Sequence, residues 1–179
     1  MVHQKGIALI GMPGIGKSTV GILLANTLGM RFVDTDILIQ EKEGATLIDI
    51  IRDRGIERFQ RIEEEVLSGL SGDGTVIATG GSAVLLPAAM KHLAEIADIV
   101  YLEADLMLIR KRLWNFKTRG IVSTPGKTIT DIFNERRPLY RKYSKIKVRV
   151  RGKKPGQIVS EIVDRLKETE MSGGLGDDA

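Results

Sequence analysis

Two rhythms alternate along the chain: short apolar runs of four or five residues, and longer stretches whose apolar positions recur every three or four. Gly6–Ile10 is a short run that stops at Gly11, and Lys17–Leu28 then carries Val20, Leu23, Leu24 and Leu28 at helical spacing. Arg31–Asp34 reads as a second strand. Thr46–Arg54 and Ile56–Leu70 read as two helices, with Leu47, Ile50 and Ile51 on one apolar side and Phe59, Ile62, Val66 and Leu70 on the other. Thr75–Thr79 is a strand running into Gly80-Gly81-Ser82. The spacing then predicts helices over Pro87–Ile96, Leu106–Trp114, Thr130–Lys142 and Pro155–Lys167, with strands at Ile99–Leu102 and Ile146–Val150. Pro138 predicts an irregularity in the third of these helices, and Pro155 suits the first turn of the last. Asn115–Lys127 is polar, holds Gly120, Pro125 and Gly126, and has no period, as a mobile loop would. Strands alternating with helices predict an α/β fold with a parallel sheet covered on both faces. No repeat or linker divides the chain, so residues 1–170 are read as a single domain and 171–179, small, Gly-rich and acidic, as a disordered tail.

Composition narrows this picture. With 179 residues, 42% of them apolar, the chain can bury a sizeable core, and no apolar run approaches the ~20 residues that span a bilayer. The apolar run after Met1–Lys5 is too short and Gly-rich for a signal peptide. The chain has no cysteine, which excludes disulfides and thiolate zinc sites and suits a reducing, cytoplasmic setting. His3 and His92 are far apart and suggest no metal site. The net charge of +4 conceals a basic block: residues 105–154 hold 16 of the 27 Lys and Arg against Asp105, Asp131 and Glu135. Such a block gathers anions. No aromatic ladder or helix-turn-helix pattern accompanies it, so small anions are a better match than nucleic acid.

Gly11-Met12-Pro13-Gly14-Ile15-Gly16-Lys17-Ser18 matches G-x-x-x-x-G-K-[ST]. In that pattern the loop's N–H groups and the helix N-terminus face phosphate, the lysine reaches the β/γ-phosphates, and the hydroxyl faces Mg²⁺. An apolar strand before it and a helix after it complete the context. Asp34-Thr35-Asp36 follows the second strand, where residues two apart in an extended segment project to one side. One carboxylate can help hold Mg²⁺ and the other can take the proton of an acceptor hydroxyl; Asp36 can alternatively cap the next helix. Gly80-Gly81 permits close approach of a ligand or forms a bare turn. Arg119 in the polar loop suits a lid that closes over ATP, and Arg141 could grip an anionic group with a bidentate fork; either can also be a plain surface arginine.

Together these motifs resemble the shikimate kinase family over nearly the whole chain, from Gly6 to about Leu166. The phosphate loop corresponds to Gly11–Thr19, the Asp-Thr-Asp motif to Asp34-Thr35-Asp36, and the family's Phe-Arg-x-x-Glu helix to Phe59-Gln60-Arg61-Ile62-Glu63. The resemblance implies a P-loop fold of three layers with a five-stranded parallel sheet in order 2-3-1-4-5 and a lid loop. It implies ATP and Mg²⁺ as cofactors, phosphorylation of shikimate to shikimate 3-phosphate, and a monomer that binds neither nucleic acid nor membrane. It assigns Gly14, Ile15, Gly16, Lys17, Ser18, Thr19, Arg112, Arg119, Lys154 and Pro155 to the nucleotide, and Ser18 and Asp34 to the metal. Asp36, Lys17 and Arg119 are the expected catalytic residues. Asp36, Gln60, Gly80, Gly81, Ser82 and Arg141 are expected at the acceptor. Gln60 stands where the family has a carboxylate-binding arginine, and Ser82 where it has a third glycine. These two departures leave open another small polyol or hydroxy acid, gluconate-like, as acceptor. A nucleotide-binding regulatory module without kinase activity is the reading from another class.

Overall fold

The computed structural model describes residues 5–113 and 126–173. Five parallel strands, β1 (Gly6–Ile10), β2 (Arg31–Asp34), β3 (Thr75–Ala78), β4 (Ala97–Glu103) and β5 (Ile146–Arg149), form one sheet in the order β2-β3-β1-β4-β5. Every residue of β1 and β3 is buried, as parallel strands covered on both faces require, whereas β5 alternates buried and exposed positions at the sheet edge. The helices are α1 (Lys17–Leu28), α2 (Thr35–Glu43), α3 (Leu47–Ser68), α4 (Pro87–Ile96), α5 (Leu106–Arg112), α6 (Ile129–Tyr143) and α7 (Pro155–Gly173), with a 3₁₀ turn at Ala83–Leu85. They lie on both faces of the sheet, giving the expected three layers and strand order.

Register positions the site. Leu9 pairs with Ala78, and Ala78 with Asp34, so β1, β3 and β2 end level with one another. The segments that follow, Gly11–Gly16, Thr79–Ser82 and Thr35–Asp36, therefore leave from one carboxyl edge, where open parallel sheets bind ligands.

The two helices expected at Thr46–Arg54 and Ile56–Leu70 are the two arms of α3, which meet at a kink where Gly55 has non-helical backbone angles (φ 80°, ψ 166°). Glycine adopts that positive φ without the steric penalty of a Cβ. The bend lets Ile50, Phe59 and Ile62 converge on Ile39 of α2 in a small second core. Helix α2 was not predicted, because Ile37-Leu38-Ile39 is an apolar run without helical period; a cap starts it, Asp34 accepting the Asp36 N–H. Helix α7 continues to Gly173, three residues into the stretch expected to be disordered; residues 174–179 lie outside those described. Most of the loop expected at Asn115–Lys127, Arg119 included, also lies outside them. No helix among the described residues is long and apolar enough to cross a membrane.

Candidate active site

A cleft of about 510 Å³ opens at the carboxyl edge, lined by the phosphate loop, Asp34 and Asp36, Leu47 and Phe59 of α3, the Thr79–Ser82 turn, and Arg136 of α6. Its nucleotide half follows from the loop backbone. Gly16 caps α1 from the left-handed region (φ 103°) and makes no side-chain cap, which leaves the first-turn N–H groups of α1 available to an anion. Lys17 is buried at the helix start, and its Nζ donates to the carbonyls of Gly11 at 2.8 Å and Met12 at 3.0 Å. Burial pushes its ammonium down to about 8 against the opposing pull of Asp36 and Asp34. Incoming phosphates restore the charge. Arg112, at the end of α5, donates to the Ile15 carbonyl and so leans over the same loop.

Ser18 donates to one oxygen of Asp34 at 2.5 Å, while the other Asp34 oxygen accepts the Asp36 N–H at 3.0 Å. The capping role that Asp36 could have held thus falls to Asp34, and Asp36 is left facing the cleft. Ser18 and Asp34 form an adjacent pair of oxygen donors, a fit for Mg²⁺, which keeps several waters and binds through one or two carboxylates together with substrate phosphates. Among the described residues there is no cluster of three or more His, Cys, Asp or Glu that could hold a metal. Burial raises the Asp36 pKa and Asp34 raises it further, while Lys17 opposes. Asp36 is therefore a stronger base than an exposed aspartate.

The acceptor half is built around Gly80. Its N–H donates to Thr35 Oγ1 at 3.1 Å, tying the β3 turn to the start of α2. A Cβ at position 80 would lie 2.5 Å from a Glu63 oxygen and 2.8 Å from an Asp36 oxygen, so the glycine is required by two carboxylates closing on the backbone. Gly81 meets Pro13 of the phosphate loop in the same way, at 2.7 Å, and its carbonyl accepts the Tyr140 hydroxyl at 2.7 Å. Tyr140 belongs to α6 and stacks on Tyr101 with 5.2 Å between ring centroids. One turn earlier on α6, Arg136 is 1% exposed and enters the cleft.

Two expected acceptor residues, Arg141 and Gln60, are placed outside the cleft, and a third, Ser82, lines it but points its hydroxyl at the protein. Arg141 does not reach the cleft. It is five residues beyond Arg136, about 140° around the helix, and its guanidinium pairs with Glu103 at 2.7 Å near the sheet edge. Arg136 takes the position expected of it. Gln60 is half-buried and outside the cleft lining, one residue around α3 from Phe59, which does line it. Ser82 lines the cleft, yet its hydroxyl donates to Glu63, lying 3.0 and 2.8 Å from the two carboxylate oxygens. Lys154 and Pro155 sit at the start of α7, with the Lys154 N–H donating to Gln157, and they are not part of the cleft. Arg136, Thr35 and Tyr140 escaped the sequence reading, although an arginine at the same four-residue spacing as Ile132 and Tyr140 on an apolar face was a signal for a buried cation.

The cleft has phosphate-binding groups at one end and a buried guanidinium, suited to an anionic group, at the other. The class is a P-loop phosphotransferase acting on an alcohol. The family model described as shikimate kinase matches residues 13–167. A shikimate kinase from Sulfurihydrogenibium sp. is 37% identical over 165 residues, covering 92% of this chain and 99% of the relative. The solved shikimate kinase from Acinetobacter baumannii in complex with shikimate superposes with a TM-score of 0.85 at 28% identity, covering 94% of this chain and 96% of that one. A gluconokinase from Sinorhizobium meliloti, 16% identical with a TM-score of 0.55, shares the fold alone. The chain belongs to the shikimate kinase family.

Proposed function

We propose that this protein transfers the γ-phosphoryl group of ATP to a hydroxyl of shikimate, giving shikimate 3-phosphate and ADP. The observation that carries the proposal is the placement of Asp36 and Arg136 in one cleft beside the phosphate loop. Arg136 holds the acceptor's carboxylate with a planar fork, which directs the ring's hydroxyls toward Asp36. Asp36 takes the hydroxyl proton as the oxygen–phosphorus bond forms and the bond to the ADP leaving group breaks. Lys17 leaves its two carbonyl partners and follows the charge onto the phosphoryl oxygens. Ser18 and Asp34 would hold Mg²⁺, which would supply charge neutralisation to the nucleotide's phosphates.

On the nucleotide side, Gly14, Ile15, Gly16, Ser18 and Thr19 contact phosphate, Arg112 flanks the base, and Lys154 and Pro155 close its far side. Arg119 supplies positive charge to the transferring group from the lid. Gly80 and Gly81 let the acceptor approach the backbone. The enzyme acts as a cytoplasmic monomer on small molecules, without nucleic acid or membrane.

An ADP-release screen with Mg²⁺ and ATP against shikimate, quinate, gluconate and nucleoside monophosphates tests the reading. Turnover highest on shikimate is the expected result. Turnover highest on gluconate, or ATP hydrolysis indifferent to every acceptor, would refute it.

A further inference from the structure

Glu63 has no exposed surface and sits among charged and polar groups from four other parts of the fold. Lys17 faces it from α1, Asp36 from α2, Arg136 from α6, and Ser82 from the turn after β3. The Ser82 hydroxyl lies within hydrogen-bond distance of both carboxylate oxygens and shares one proton between them. Glu63 and Asp36 crowd the same side of Gly80, so a change in the orientation of Glu63 is felt at this backbone and at Asp36. Ser82 is itself 3% exposed, so solvent does not substitute readily for its hydroxyl.

We propose that Ser82 is a positioning residue: its hydroxyl orients the buried Glu63 carboxylate and favours its ionised form, and so sets the pH range over which Arg136 binds the acceptor. The proposal rests on the reading of Arg136 as the acceptor anchor. Burial pushes the Glu63 carboxyl up to about 7, and Asp36 pushes in the same direction; Ser82 opposes them, followed by Arg136 and Lys17. Near neutrality Glu63 is therefore balanced between its two forms. Removing the hydroxyl tips it toward the neutral acid, and the charge that attracts Arg136 is lost, so the guanidinium is less firmly held for the acceptor. Where the family pattern has glycine at this position, no such donor is present. The serine is thus a local compensation for a deeply buried carboxylate, and its hydroxyl is directed at the protein rather than at the acceptor.

The test is the acceptor KM and kcat from pH 5.5 to 9 at saturating Mg²⁺ and ATP. Ser82→Gly is expected to raise the acceptor KM roughly tenfold at pH 6.5, the size of a lost hydrogen bond to a charged group. The effect on kcat is smaller, and the KM difference closes as pH approaches 9, where Glu63 ionises in either protein. Ser82→Thr, which keeps the hydroxyl, restores the wild-type profile, and in a Glu63→Gln background Ser82→Gly adds no pH-dependent change. A KM penalty equal at every pH, or none, would overturn the proposal.

A second measurement does not depend on turnover. The Glu63 carboxyl, followed by carbon-13 NMR of labelled glutamate, should titrate at higher pH in Ser82→Gly than in the wild type. An unmoved midpoint defeats the proposal even if shikimate is the acceptor. A moved midpoint without turnover on shikimate would fault the acceptor assignment instead.

Discussion

Lys17 is buried at the start of α1, where the phosphate loop would bring a nucleotide's anionic oxygens to it. Its free-enzyme value near 8 is set by burial, and phosphate oxygens reverse the cause. Binding of a non-hydrolysable ATP analogue at pH 8.5 should therefore take up protons. Calorimetry in buffers of different ionisation heat measures this directly, and Lys17→Ala should abolish the uptake together with turnover. Uptake that persists in Lys17→Ala would place the titrating group elsewhere. Asp36→Asn removes the proposed base while keeping the shape of the cleft; kcat should fall by about 10²- to 10⁴-fold with little change in ATP affinity. At this scale the sequence was most legible where chemistry and backbone are coupled. The phosphate loop and Asp34-Thr35-Asp36 were readable because their spacing specifies geometry. The division of labour between Asp34 as cap and Asp36 as base was not readable, since either aspartate can cap a helix and only the Ser18 and Asp36 contacts decide it.

Helix α6 connects the two halves of the account. Its capping box at Thr128 and Asp131 starts it, and Ile132, Arg136 and Tyr140 recur every four residues along the buried side. The helix was legible in the sequence, but Arg141 on its outer side was expected at the acceptor, because a resemblance transfers roles by local similarity and Arg136, Arg137 and Arg141 all lie close to the same Pro138-Leu139-Tyr140 stretch. Burial separates Arg136 from Arg141: one is 1% exposed in the cleft, and the other pairs with Glu103 at the surface. Tyr140 ties this helix to the Gly80-Gly81 turn through a single hydrogen bond. Tyr140→Phe should lower stability by about 1 kcal/mol, as chemical denaturation can measure, and should raise the acceptor KM more than the ATP KM. Equal changes in both constants would argue against α6 as an acceptor-side support. Helix α2 went unseen because tertiary contacts, the Asp34 cap and the small core shared with α3, specify it more than its own periodicity does.

For the whole molecule, the alternation of apolar runs and amphipathic stretches was sufficient to anticipate a covered parallel sheet, while strand order entered through the family resemblance. What was not anticipated from the pattern was that charge collects inward at one place: Lys17, Glu63 and Arg136 are all buried around one cleft. That collection makes stability depend on pH. Glu63 has a folded-state value raised from 4.5 to about 7, so its favourable contribution is complete below pH 4.5 and is lost as pH rises through 7. Glu63→Gln should accordingly flatten the decline of Tm between pH 5 and 8, even if it shifts the curve as a whole; parallel wild-type and variant curves would contradict the linkage. The central claim, that Arg136 and Asp36 present shikimate to the phosphate loop, is tested most directly by the shikimate KM of Arg136→Gln beside that of Arg141→Gln. Arg136→Gln is expected to raise it roughly 10- to 150-fold, the loss of a charge-assisted hydrogen bond, with the ATP KM nearly unchanged and Arg141→Gln close to wild type. A wild-type shikimate KM in Arg136→Gln, or a loss confined to Arg141→Gln, would contradict the account.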